Sequence, residues 1–124
     1  MGIEFTVEHR EGYSVVRVDG EPTLGEFLSF VDQVGTASRG WPAGRLLVDL
    51  RSIRTLTSFT EHDAVGEAVG RHFGHLHQVA SVVPADRLTR ASQKTAQRAG
   101  VNLMVFTHER DAIQWLTAPM GAVE

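Results

Sequence analysis

LLVDLRSIRTLTSFTEHDAV, residues 46–65, joins two kinds of periodicity. Leu46 to Leu50 is nearly all apolar, as a strand covered on both faces would be. From about Phe59 to Phe73 the apolar residues recur at helical spacing, with Ser58 at the head of the run. A buried strand that feeds a helix within a few residues is half of a strand–helix–strand unit. Such units predict parallel strands joined by right-handed crossovers.

Upstream of this stretch, Ile3, Phe5 and Val7 alternate with Glu4, Thr6 and Glu8, which predicts a half-exposed strand at a sheet edge. Glu11-Gly12 turns the chain into a second strand, Tyr13 to Val18, closing a hairpin. Thr23 and Glu26 make a capping box for a helix to about Ala37, with Leu24, Phe27, Leu28, Val31 and Val34 as its apolar stripe. Downstream, Val79 to Val83 is a strand ended by Pro84, and Arg87 to Ala99 a helix stopped by Gly100. Val101 to Phe106 is the last strand. Thr107 is the expected cap of a final helix whose Ala112, Ile113 and Leu116 face inward. The order predicts an α/β fold with a five-stranded mixed sheet, an antiparallel N-terminal edge strand and four main helices.

The 124 residues are expected to form one domain over 1–124, with a frayed tail from about 118. A domain this size buries roughly two-thirds of the surface its unfolded chain exposes, so it folds without staples. There are no cysteines, which excludes disulfides and thiolate chemistry. No apolar run is long enough to span a bilayer, and the cytoplasm is the expected compartment. Net charge is −3 but unevenly spread: residues 1–67 carry eleven acids and six bases, residues 68–124 four acids and six bases. The chain is therefore electrically lopsided, with its acid excess in the first half.

The element order, together with Asp49-Leu50-x-x-Ile53-x-x-Leu56-Thr57-Ser58, resembles the STAS-type regulatory domains, of which the anti-anti-sigma factors are best known. It is closer to their SpoIIAA-like branch, which shares its fold with CRAL-TRIO lipid-binding domains. The resemblance covers nearly the whole chain. It implies a (βα)n superhelix of SpoIIAA-like type, with strands in sequence order, helices largely on one face, and a non-enzymatic binding or switching role. In anti-anti-sigma factors the corresponding loop ends in Asp-Ser-Ser/Thr-Gly, and a hydroxyl there is phosphorylated. Here Thr57 stands in place of the Asp, Phe59 in place of the second hydroxyl residue, and Thr60 in place of the Gly. The resemblance thus implies a degenerate phospho-acceptor loop.

Ser58 has a structural role available, because Ser58-Phe59-Thr60-Glu61 fits a capping box. The competing role is an anion or phospho-acceptor site formed by Arg51, Arg54, Thr57, Ser58 and Thr60. A helix N-terminus at the carboxyl ends of parallel strands favours negative charge. The helix that follows carries Gly66, Gly70 and Gly74 at four-residue spacing, and each interior glycine costs about 1 kcal/mol relative to alanine. This spacing fits close packing, self-association, or a mobile helix that uncovers an apolar groove lined by Val65, Val69 and Phe73.

Arg87, Arg90, Lys94 and Arg98 fall within about 80° of arc on the next helix, a solvated face or a basic surface for anionic headgroups or an acidic partner. No aromatics are interleaved, so nucleic acid is not an expected partner. His72, His75 and His77 suit a helix C-terminus better than a metal, for which a fourth ligand is not evident. Trp41, in a Pro/Gly loop, is a candidate lid, anchor or interface residue.

Two functions are expected. The first is a cofactor-free, metal-free, non-enzymatic domain that binds a hydrophobic small molecule or an anionic membrane surface through the mobile glycine helix and the basic helix. It would be cytoplasmic or peripheral at the membrane, with a homodimer as a further option. The second is a regulatory protein–protein interaction module of anti-anti-sigma type.

Overall fold

The computed structural model describes residues 3–42, 44–53, 62–84, 94 and 97–118, with only the backbone of residues 62–65. Five strands, β1 (Ile3–Arg10), β2 (Tyr13–Gly20), β3 (Arg45–Ile53), β4 (Gln78–Val82) and β5 (Leu103–Phe106), form one sheet in sequence order. β1 pairs antiparallel with β2, and the other neighbours are parallel. The mixed sheet with an antiparallel edge strand is the one the alternation predicts. Three helices lie among the described residues: α1 (Leu24–Ser38), α2 (His62–His72) and α3 (Glu109–Thr117). The expected helix over 87–99 falls mostly outside them, although Lys94 and residues 97–98 are helical and Gly100, at φ +97°, ends that turn.

Two cores sandwich the sheet. On one face Val16, Val48 and Val79 pack with Phe30 and Val34 of α1 and with Val69 of α2. On the other, Tyr13, Val15, Leu47, Ala80 and Val82 meet Ala112 and Leu116 of α3. The described helices therefore divide two to one. The small residues Ala80 and Ala112 make room for α3 against a sheet only five strands wide, and Leu116 is fully buried there.

β3 runs three residues beyond the expected Leu50. Its register against β2 steps from Arg17↔Asp49 to Asp19↔Ser52, so one strand spends three residues where the other spends two. Leu46, Val48 and Leu50 face the first core, but the next residue to do so is Ile53. The extra residue reverses the alternation, as a bulge does, and keeps Ile53 buried after the polar Arg51-Ser52.

The capping box of α1 is present: Glu26 N–H donates to Thr23 Oγ1 (3.2 Å) and Thr23 N–H donates to Glu26 Oε1 (2.8 Å). α3 differs from expectation. Its N-cap is His108 rather than Thr107, and no side chain caps it. The helix starts one residue later and places Glu109 in its first turn, where a carboxylate is favoured by the helix dipole and reaches two arginines. The expected start of α2 at Phe59, and its Ser58–Glu61 box, lie outside the described residues.

Candidate functional site

The carboxyl ends of β2 and β3 carry four charges that close on one another. Arg17 of β2 points to the α3 face, opposite Asp49 in the parallel register. Asp49 and Arg51 are two residues apart on β3 and share that face. Arg17 Nη1 donates to Asp49 Oδ2 (2.9 Å) and to Glu109 Oε1 (2.9 Å), and its Nη2 donates to Glu109 Oε2 (3.1 Å). Arg51 donates to Asp49 through its backbone N–H (3.1 Å), Nε (2.9 Å) and Nη2 (2.8 Å), and Nη2 also reaches Glu109 Oε1 (2.8 Å). Two cations and two anions thus tie β2, β3 and the first turn of α3 together.

The electrostatics follow from this closure. Burial by itself would push the Asp49 carboxyl up. The hydrogen bonds from Arg51, side chain then backbone, and from Arg17 outweigh it and hold the group below the usual carboxylate range. Glu109 is lowered chiefly by its hydrogen bonds from Arg17, against a smaller opposing effect of burial. Both guanidiniums are stabilised in the charged form, Arg17 mainly by Glu109 and Arg51 mainly by Asp49. Arg51, expected to offer its charge to an anion, is already held by two carboxylates. Beside the quartet an open depression of about 660 Å³ is lined by Thr6, Arg17, Asp19, Asp49 and Ser52.

Arg54, Thr57, Ser58 and Thr60 of the candidate anion or phospho-acceptor loop lie outside the described residues, as do Arg87 and Arg90. Lys94 and Arg98 are exposed. In the glycine helix Gly66 is buried, Val69 and Phe73 belong to the first core, and the Val65 side chain is not described. Gly70 has a packing partner: a Cβ placed there would stand 2.4 Å from the Ala99 Cβ. Gly74 is exposed, and a Cβ there would lie 3.5 Å from the Gly70 carbonyl oxygen. On α1, a Cβ at Gly35 would meet the His72 Cβ at 2.6 Å and its carbonyl oxygen at 2.7 Å. The glycines thus let α2 approach α1 on one side and residues 97–100 on the other.

His72, the last residue of α2, and His75, beyond it, serve separate contacts. His72 Nδ1 lies 3.6 Å from Asp32. His75 Nε2 is 2.8 Å from Ser38 Oγ, whose hydrogen goes to the Gly35 carbonyl (2.9 Å), so the ring N–H donates to the hydroxyl. Burial, then the nearby Arg39 charge, lowers the affinity of His75 for a proton. Among the described residues no group of three potential ligands is placed to hold a metal. Trp41 packs against the first core and meets His9 edge to face at 5.2 Å.

The SpoIIAA-like family model matches residues 14–117. The chain belongs to the SpoIIAA-like family. The match begins in β2 and ends with α3, so it contains both partners of the Arg17–Glu109 contact. Two solved structures share the SpoIIAA-like fold with the chain. An anti-sigma factor antagonist from Mycobacterium paratuberculosis is 21% identical, with 93% of this chain and 94% of that chain covered and a TM-score of 0.53. A DUF3478-family protein with a SpoIIAA-like fold from Shewanella loihica PV-4 is 19% identical over the same shares, with a TM-score of 0.57. A search of curated proteins found no match. No helix among the described residues is long and apolar enough to cross a membrane.

The quartet went unread in the sequence although a signal was present. Asp49 interrupts a strand that is otherwise Leu46-Leu47-Val48-Leu50, and Arg17 interrupts Val15-Val16-Val18. A charge in a strand covered on both faces requires an opposite charge nearby. What the sequence lacked was the β2–β3 register that brings the two together.

Proposed function

We propose that the chain is a non-catalytic regulatory module that binds another protein at the carboxyl edge of its sheet, through the loop between β3 and α2. The observation that carries this is the quartet immediately before that loop. It holds the end of β3 against α3 with seven hydrogen bonds concentrated on two carboxylates, which gives the end of β3 a rigid base. Family membership supports the choice, and a neighbour of the same fold is named an anti-sigma factor antagonist, a role exercised on a protein. Ser58 is then a contact residue, and its modification would regulate docking.

The experiment is site-specific photo-crosslinking in the host cell from Ser52 and from Ser58, with Gln33 on the outer face of α1 as control. The captured protein is purified and its affinity measured by calorimetry. Crosslinks from the first two positions, and a loss of at least about tenfold in affinity for Ser58→Glu, about 1.4 kcal/mol, support the reading. Crosslinks from Gln33 alone, or equal affinity for Ser58→Glu, overturn it.

The membrane or apolar-ligand reading requires α2 to move and take Val69 and Phe73 out of the first core. Their burial and the close Gly70–Ala99 approach favour the protein partner instead. Flotation with anionic vesicles at low salt, abolished by Lys94→Glu with Arg98→Glu, would restore it.

A further inference from the structure

β1 is eight residues long, carries no bulge, proline or lysine, and pairs on one side only among the described residues. Edge strands of this kind invite a second strand unless charge or shape prevents it. Its outer part also carries Val7, the exposed large hydrophobic residue of the described chain. On the face turned away from α1, Glu4, Thr6, Glu8 and Arg10 follow one another at alternate positions.

A second copy can add antiparallel to β1 about a twofold axis normal to the sheet. Residues that face each other must then have numbers with a constant even sum, which leaves few registers. With Thr6 on the axis, Glu4 faces Glu8 twice. With Glu8 on the axis, Glu8 faces itself. With Phe5 on the axis, no charges pair, and with His9 on the axis Glu8 faces Arg10 but only residues 8–10 of each strand overlap. With Val7 on the axis, Glu4 faces Arg10 of the second copy twice, Glu8 faces Thr6, and the two Val7 side chains meet. Opposite charges directly across an antiparallel pair are favourable and like charges unfavourable. Arg10 already binds Glu8 of its own strand at 3.0 Å, so in this register it bridges two carboxylates. We infer that β1 is a homodimerisation edge, pairing antiparallel with β1 of a second copy about Val7 to make a ten-stranded sheet.

One strand pair per dimer is a small interface, so association is weak, with a dissociation constant on the order of 10–100 μM. The dimer edge is separate from the docking role proposed for the loop between β3 and α2.

The full chain is followed by sedimentation velocity from a few micromolar to several hundred micromolar, with circular dichroism confirming that each variant folds. Glu4→Arg sets an arginine against Arg10 of the other copy on each side of the axis and is expected to weaken dimerisation at least about tenfold. Adding Arg10→Glu reverses both partners and restores it. Because the chain has no cysteine, Val7→Cys supplies a second readout. The two thiols face each other across the axis and form an interchain disulfide under mild oxidation, whereas Thr6→Cys, opposite Glu8, does not. A chain that stays monomeric throughout the range overturns the proposal. So does a dimer unmoved by Glu4→Arg, or equal crosslinking from Val7→Cys and Thr6→Cys.

Discussion

Arg17 on the second strand and Glu109 at the start of the last helix, 92 positions apart, meet through two parallel hydrogen bonds of 2.9 and 3.1 Å. A fork-to-fork pair of this kind fixes orientation as well as distance. It sets the angle at which α3 crosses the sheet, and it fills the polar end of the second core where Tyr13, Val15 and Leu47 give way to charge.

Asp49 is the least exposed member of the quartet, its side chain 13% accessible, and it takes hydrogen bonds from both arginines. Asp49→Ala leaves two guanidiniums facing each other. The expected loss is about 2 kcal/mol, below that of a fully buried pair because both arginines reach solvent. Urea unfolding measures it, and an unchanged midpoint would mean that water replaces the carboxylate at no cost.

The same carboxylates set an acid limit. Asp49 and Glu109 are both held below the ordinary range in the folded chain, so the unfolded chain takes up protons first as pH falls. Their contribution is complete above about pH 5 and is lost progressively below about pH 4, as pH passes through the lowered folded values. The paired variant Arg17→Met with Glu109→Leu should flatten the dependence of the urea midpoint on pH in that window.

Gly70→Ala should destabilise the protein, although alanine is ordinarily the better helix former by about 1 kcal/mol. The added methyl would stand 2.4 Å from that of Ala99, and overpacking of this kind costs about 1–3 kcal/mol. Ala99→Gly in the same chain should recover most of the loss. A thermal melt of the four members of this cycle decides the matter, and additive effects would show that the two residues do not touch.

His75 reports on the other end of the sheet. Its folded form favours the neutral ring, so the unfolded chain binds the proton first. Stability should be full above the ordinary imidazole range and decline slightly as pH falls below about 6.5. His75→Gln should remove that decline between pH 7.5 and 5.5, measured by urea titration at each pH.

Leu116 is fully buried beneath the sheet, against Ala80 and Val82. Leu116→Ala should cost about 2–4 kcal/mol, since the strands around it cannot collapse into the space. A small effect in urea unfolding would indicate that α3 docks mainly through its polar end, by Glu109.

Local rules made much of the fold legible. Period-two alternation marked β1, the Glu11-Gly12 turn set β2 after it, a nearly continuous apolar run marked β3, and Thr23 with Glu26 announced the start of α1 with the hydrogen bonds that are found. Each of these depends on neighbours within a few residues, where chain geometry leaves little freedom. Parallel pairing followed from the alternation of strands and helices, whereas strand order came from the family resemblance. The faces of the sheet were a different matter. Ala112 and Leu116 signalled burial, but nothing local distinguishes burial against Phe30 from burial against Val15. Only the assembled sheet put α3 opposite α1 and α2, used an extra residue between Asp49 and Ser52 to turn Ile53 inward, and brought Arg17, Asp49, Arg51 and Glu109 together. Side-chain periodicity records how often a position is hidden, whereas its partner is set by register and by packing between segments far apart along the chain.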